Sequence, residues 1–512
     1  MNSDHEIDDL LIKGRNGAAQ VVHARELAAL MESFGYTDRS AKEAGFADVF
    51  SGAECLFASF AADPRPTHTI APNVDRTVFQ EEAKCAIRKI SLSLAYAVPW
   101  MILLTLEYLW PNALEVSPEL GGALCLALIA SLITSGGFIQ MISRSGSFYY
   151  GCGQPILVHR ICNLLFSVGF SCTLILASLG MLLGSYFNLF GGSYLTLAAI
   201  HYVALSVLWM YCAMLSVQGR GWYIPLVFLI SALSSGLIKI LVHSSATIVL
   251  MTWPLLAVLA ALGFAVAGFH RAEKKQGAGE VSAQPRFGVL AISLAPFFLF
   301  GTVYFSFLFA DRLTAGSAIP WVSGLSFGID ASYKKGMDLV LLAFLVTAAL
   351  TEYLADSFLR FWQRLAGEVS QTAREELVIR LRQRHWQMLV AIFLMFALVS
   401  VSAWLAFSSA DSLTSSPRLL QTAITGGLGY LLLNMALLDM IILSSVNANS
   451  LALIAVTLGL FANLLTGYVF SHLWGLQYAA IGLLIGSAVV LWKCSSAVQR
   501  ILCCPDYHYA VS

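Results

Sequence analysis

Twelve stretches of predominantly apolar residues recur along this chain, each long enough to cross a hydrocarbon layer of roughly 30 Å as a helix rising about 1.5 Å per residue. The first six cover approximately 90–110, 119–142, 161–183, 193–217, 222–243 and 247–269; the second six cover approximately 287–310, 337–358, 387–408, 419–444, 449–470 and 476–498. In lipid every backbone N–H and C=O must be satisfied within its own segment, so such a chain is expected to be helical wherever it spans. Of the 512 residues 58% are hydrophobic and 12% are charged, with a mean hydropathy of +0.74. A soluble domain carries about 25% charged residues. The composition therefore excludes a soluble globular protein, and its zero net charge offers nothing to nucleic acid.

Lys and Arg near span ends decide orientation, because basic loops resist translocation. An N-terminus in the cytoplasm places eighteen of them inside and only Arg312, Lys334, Lys335 and Arg418 outside. This predicts a multi-pass protein of an inner, cytoplasmic membrane with both termini in the cytoplasm. No cleavable signal peptide is read at the start. Residues 1–85 read as a small cytoplasmic region with an amphipathic helix over 21–34, a second apolar stretch over 45–60 and a proline-punctuated linker over 62–73. The segment 270–286, "HRAEKKQGAGEVSAQPR", is a charged, Gly- and Ala-rich break between the two sets of spans. The expected organisation is thus a cytoplasmic region (1–85), an N-lobe (86–269), a cytoplasmic linker (270–286), a C-lobe (287–500) and a cytoplasmic tail (501–512).

The ten cysteines include no Cys-x-x-Cys pair, and neither a metal site nor a cofactor is expected. The spans also lack the glycine loop of nucleotide-driven pumps and the HExxH of metallohydrolases, and the connecting loops are too short for a folded catalytic domain. An enzyme is not expected.

The first spans of the two halves share a weak pattern. "SLAYAVPWMILLTLEYLW" and "LAISLAPFFLFGTVYFSFLF" each carry a proline about ten residues in, Pro99 and Pro296, with Thr105 and Thr302 six residues later. Proline removes a helical hydrogen bond that a neighbour must replace in lipid, which makes Pro99 and Pro296 hinge candidates.

The segment from 297 to about 386, "FFLFGTVYFSFLFADRLTAG" followed by "YKKGMDLVLLAFLVTAALTEYLADSFLRFW" and the basic "REELVIRLRQRHWQ", resembles the second lobe of the PelG-type exopolysaccharide exporter proteins. These belong to the multidrug, oligosaccharidyl-lipid and polysaccharide (MOP) exporter superfamily. In that family, too, an aromatic-rich seventh span ends in an Asp followed by a basic residue, and an eighth span leads into an aromatic, basic cytoplasmic helix. The N-terminal 85 residues depart from it. The resemblance implies an all-α polytopic protein of two six-helix lobes around a central cleft, with a glycan as substrate, membrane lipid as surroundings, and a cytoplasmic glycosyltransferase or other secretion subunits as partners docking on 1–85 or 362–386. It leaves open a proton- or sodium-coupled multidrug antiporter of the same superfamily and a non-transporting synthase scaffold.

Charges within spans cost roughly 2.5–3.5 kcal/mol each on insertion scales, so each needs a partner or a wet cavity. Glu107, Asp311, Arg312, Lys239 and His201 fall toward the outer side and are candidates for a polar ring around a path; Glu107, Asp311 and Arg312 could equally snorkel to the interface. Glu352 and Asp356 share a face near the inner end of the eighth span, where a solvated helix end is the simpler reading. Asp439, with Asn434 five residues earlier, is the deepest acid and must pair or stay neutral. Tyr304, Asn434, Thr105 and Asn463 supply groups suited to sugar hydroxyls and faces.

Overall fold

The computed structural model describes scattered residues from Ala28 to Met101, most of them in 38–62, and most of 117–503. Short stretches at 243–245, 277–284, 320–327, 369–373 and 409–416 lie outside the described residues. The chain divides into two units, Met1–Ala83 and Lys84–Ser512.

In the first unit, α1 (Asp38–Glu43) and α2 (Val49–Ala62) are joined by a turn through Gly45, whose φ of 89° suits glycine alone. Asp48 caps α2: its carboxylate accepts from Ser51 N at 2.7 Å while Ser51 Oγ accepts from Asp48 N at 3.1 Å, a reciprocal capping arrangement. Helix α2 coincides with the apolar stretch expected over 45–60. Most of the helix expected over 21–34 lies outside the described residues.

The second unit is built of long helices: α3 (Pro118–Gly151), α4 (Pro155–Tyr186), α5 (Gly192–Val217), α6 (Tyr223–Val242), α7 (Ala246–Gln276), α8 (Phe287–Ser317), α9 (Ala331–Glu368), α10 (Arg374–Ser408), α11 (Pro417–Ser445), α12 (Asn449–Trp474) and α13 (Ala479–Cys503), with a 3-10 turn at Leu476–Tyr478. Eleven of the described helices are long and apolar enough to span a membrane, and the described residues contain no strand. The span expected at 90–110 lies mostly outside the described residues, though Ile90, Ser91, Leu94, Val98 and Met101 are helical. Helix α7 runs on to Gln276, so the first part of the expected linker, "HRAEKKQ", extends the helix because Ala, Glu, Lys and Gln favour it.

Local chemistry sets the helix ends. Ser117 caps α3 by accepting from Leu120 N, and Pro118 follows where its missing N–H costs nothing. After α3 and α5, Gly153 (φ 73°) and Gly219 (φ 68°) reverse the chain, with Gln154 N bonding Tyr149 O and Arg220 N bonding Leu215 O. Adjacent spans are joined there by tight turns, which forces antiparallel neighbours.

Helices α3–α7 form one lobe and α8–α13 the other. Within the N-lobe, α5 packs on α3, α4 and α7, and α6 packs on α7; within the C-lobe, α11 packs on α9 and α13, and α12 on α8 and α13. The lobes meet along α3 and α8. At the crossing, a Cβ added at Gly301 would overlap the Gly136 carbonyl oxygen, and one at Gly137 would lie 2.7 Å from Thr302 Oγ1. Two backbones are in direct contact, the geometry small residues permit between helices in lipid. Gly301→Ala must push backbone from backbone and is expected to destabilise the protein by about 1–3 kcal/mol, read as a lowered apparent Tm of the purified protein.

Candidate functional site

The α3–α8 seam is aromatic on both sides. Phe138 of α3 meets Phe298 of α8 edge to face with centroids 5.1 Å apart, and toward the inner ends Arg144 lies over the Phe297 ring at 5.3 Å. On α8, Phe300 and Tyr304 stack with centroids 5.9 Å apart, and Glu352 of α9 is within electrostatic range of the Tyr304 hydroxyl. On the N-lobe side, Trp209 Nε1 donates to Ser131 Oγ at 3.3 Å and the Tyr202 hydroxyl donates to Thr134 Oγ1 at 3.1 Å. Hydroxyls and ring faces dominate here.

Behind α8, the C-lobe holds three buried polar clusters. The first joins α8, α9 and α11. Arg312 donates to the Tyr430 hydroxyl at 3.0 Å, to Asp338 Oδ1 at 3.1 Å and to Asp311 Oδ1 at 3.4 Å. Tyr333 OH donates to Asp311 Oδ2 at 3.0 Å, and Lys334 reaches Asp338 Oδ2 at 3.0 Å from one helical turn away. Two acids thus meet two bases. In the middle cluster, the Thr351 hydroxyl donates to Asn434 Oδ1 at 2.8 Å and the Asn434 amide donates to Thr347.

The third cluster joins α10, α11 and α13. His385 Nε2 lies 2.6 Å from Asp439 Oδ1, the Ser495 hydroxyl donates to Asp439 Oδ2, and the Gln499 amide nitrogen is 3.4 Å from His385 Nδ1. His385 is 1% exposed and Asp439 0%. With the amide so placed, Nδ1 accepts and the Nε2 proton goes to the carboxylate. Asp439 lies on the opposite side of α11 from Tyr430, nine residues and half a helical rotation away, so it faces α10 and α13 rather than α9.

The other candidates are dispersed. Asp311 is not at an interfacial helix end: α8 continues to Ser317, and Asp311 is 0% exposed. Lys239 sits on α6, three residues from its end and half-buried. His201 is buried within the N-lobe, edge-on to Trp253 with centroids 5.9 Å apart, and its Nδ1 has no hydrogen-bond partner. Of the residues expected to form an outer polar ring, Lys239 lies on α6, which packs on α7, and His201 is buried on α5 beside Trp253 of α7. Asp356 pairs with Arg360 at the inner end of α9, Glu352 is exposed, and Asn463 donates to the Phe307 carbonyl at 3.1 Å. Pro296 lies inside α8, whereas Glu107, Thr105 and Pro99 lie outside the described residues.

Sequence reasoning missed His385, Asp338, Tyr333 and Ser495. The signal for His385 was its place on the apolar face of α10, in line with Leu377, Leu381 and Met388, all buried. The expectation of no enzyme motif also overlooked one G-x-S-x-G spacing, Gly324 to Gly328, of which residues 324–327 lie outside the described residues.

Neither the family models nor the curated proteins include a match to this sequence. Solved structures do match. A point mutant of the Vibrio cholerae MATE transporter VcmN aligns over 84% of this chain and all of its own, with 16% identity and a TM-score of 0.58. VcmN in the bent form aligns over 84% of this chain and 99% of its own, with 15% identity and a TM-score of 0.55. An outward-facing multidrug resistance MATE family transporter of the MOP superfamily aligns over 83% and 97%, with 15% identity and a TM-score of 0.52. The chain has the MATE fold. That fold accounts for the two lobes.

Removing Arg312 would leave Asp311 and Asp338 buried without their shared counter-charge, and breaking a buried pair from one side costs about 3–5 kcal/mol. Arg312→Met is therefore expected to lower the apparent Tm sharply. Adding Asp311→Asn and Asp338→Asn should recover part of the loss, which a thermal-unfolding comparison of the two variants measures.

Proposed function

We propose that this protein is an inner-membrane transporter that exports a glycan, either a polysaccharide or a lipid-linked unit, by rocking its two lobes against each other across the α3–α8 seam. The MATE fold supports the transport part of this reading. The glycan part rests on one observation: each of the three fully buried carboxylates among the described residues, Asp311, Asp338 and Asp439, already has side-chain partners inside the C-lobe. Apart from Arg144 and Glu352, the groups described at the seam are hydroxyls and aromatic rings, which match sugar hydroxyls and the apolar faces of pyranose rings. The cytoplasm holds both termini in this reading, and the N-terminal unit offers a docking element for a cytoplasmic glycosyltransferase.

The second reading, a cation antiporter, is favoured by the buried His385–Asp439 pair, which has the groups needed to exchange a proton. The two readings part on a pair of substitutions. Tyr304→Ala is expected to cut secreted or surface polymer at least about tenfold in the native host while leaving organic-cation efflux from proteoliposomes unchanged. Proton-driven cation efflux that is abolished by Asp439→Asn, with polymer output intact, would establish the antiporter instead.

A further inference from the structure

Helix α10 is too long for its task. Its 35 residues extend about 52 Å, against a hydrocarbon layer of roughly 30 Å, so several turns stand outside the lipid core. The inner face of that overhang is accounted for: Leu377, Leu381, His385 and Met388 are buried, and they belong with Phe358, Trp362 and Leu365 of α9 in the C-lobe interior. Its outer face is not. Ile379 is 64% exposed and Trp386 62%, one directly above the other at a spacing of seven residues. Two exposed arginines, Arg380 and Arg382, flank them.

The line through Ile379 and Trp386 continues down the same helix through Val390 and Phe393, both exposed, into the apolar span. A surface that is continuous with the lipid-facing stripe must be covered by something lying in the plane of the membrane. The charge on it is predominantly positive. Arg382 also reaches across to α13, its guanidinium 2.9 Å from Cys503 Sγ, and Arg500 is exposed one turn before Cys503. The acids nearby are Glu375 and Glu376 in the first turn of α10, and Glu376 is engaged by Arg380. Lower on α13, Trp492 is exposed with the Lys493 ammonium 4.6 Å from its ring centre, which places a second aromatic and cation pair on the same side.

We infer that the overhang of α10, with the end of α13, is a binding site for anionic phospholipid of the cytoplasmic leaflet. Arg382 and Arg500 hold the headgroup phosphate, and Trp386 sits at the headgroup level with Val390 and Phe393 below it in the acyl layer. The site is independent of what the protein transports. It holds the inner end of α10 against the membrane surface, and thereby fixes the helix pair that shelters His385 and Asp439.

The test uses the full-length protein in nanodiscs and native mass spectrometry of retained lipid, comparing phosphatidylglycerol with phosphatidylcholine. Wild-type protein is expected to retain phosphatidylglycerol preferentially. Each interfacial arginine contributes about fivefold to binding, so Arg382→Gln with Arg500→Gln is expected to weaken phosphatidylglycerol retention about 25-fold. Trp386→Ala should weaken retention of both lipids, Glu376→Gln should strengthen phosphatidylglycerol binding by freeing Arg380, and Arg418→Gln, at the opposite membrane face, should change nothing. All these positions are exposed, and an unchanged apparent Tm in phosphatidylcholine verifies folding. Three results would overturn the proposal: equal lipid preference in wild type and the double variant, displacement of the lipid by millimolar inorganic phosphate, or loss of a co-purifying protein with lipid retention intact.

Discussion

The backbone contact between Gly136 of α3 and Gly301 of α8 sets the geometry on which the rest of the second unit depends. In lipid no hydrophobic force drives helices together, so close approach of small residues supplies the attraction. The Phe305 ring and the Gln140 side chain flank this backbone contact. The seam is therefore tight at one level and lined by larger aromatic groups along α8, an arrangement in which the lobes can tilt about the crossing without first having to part there.

Rocking of two lobes requires each to be stiffer than the seam between them. The C-lobe meets that condition through polar rather than apolar contacts. Arg312 ties α8 to α9 and α11, Asn434 ties α11 to α9, and Asp439 ties α11 to α10 and α13. Helix α11 is common to all three clusters. Desolvated hydrogen bonds between fixed partners have directional preferences that apolar packing lacks, and losing one strands a buried polar group. These clusters read as the struts of a rigid body, whatever further chemistry His385 and Asp439 perform.

The spans were legible in the sequence because the bilayer demands apolar length, and apolar length is a local property. The same holds for the apolar stretch that overlaps α2. Partnership between helices was not legible, since hydropathy records that a segment is buried without recording against what. Asp439 was evident as a deep acid, but its partner His385 stands 54 residues away in a segment whose arginines suggested a solvated helix. Asp311 and Arg312 were evident as an adjacent acid and base, but their burial was not, because the apolar run ends seven residues before the helix does. The charges at Lys334 and Asp338 drew less notice, yet their spacing of one turn beside an apolar run was the local sign of a salt bridge entering the lobe.

Helix α8 belongs to both lobes. Its inner half contributes Leu290 and Leu294 to the buried cluster of α3, α4 and α5, while its outer half contributes Phe307, Leu308 and Phe309 to the core built by α9, α11, α12 and α13. Pro296 and Gly301 fall between these two halves. A proline at this place frees the carbonyl four residues earlier and weakens the helix where its allegiance changes, and glycine beyond it adds backbone freedom at the crossing itself. If the lobes tilt, the two ends of α8 must follow different bodies, and the strain falls on the stretch of Phe297, Phe298 and Phe300 between Pro296 and Gly301. Phe297, Phe298 and Phe300 of the seam's aromatic lining are thus carried by the segment of the helix that must bend, so that movement of the lobes and exposure of these rings are the same event.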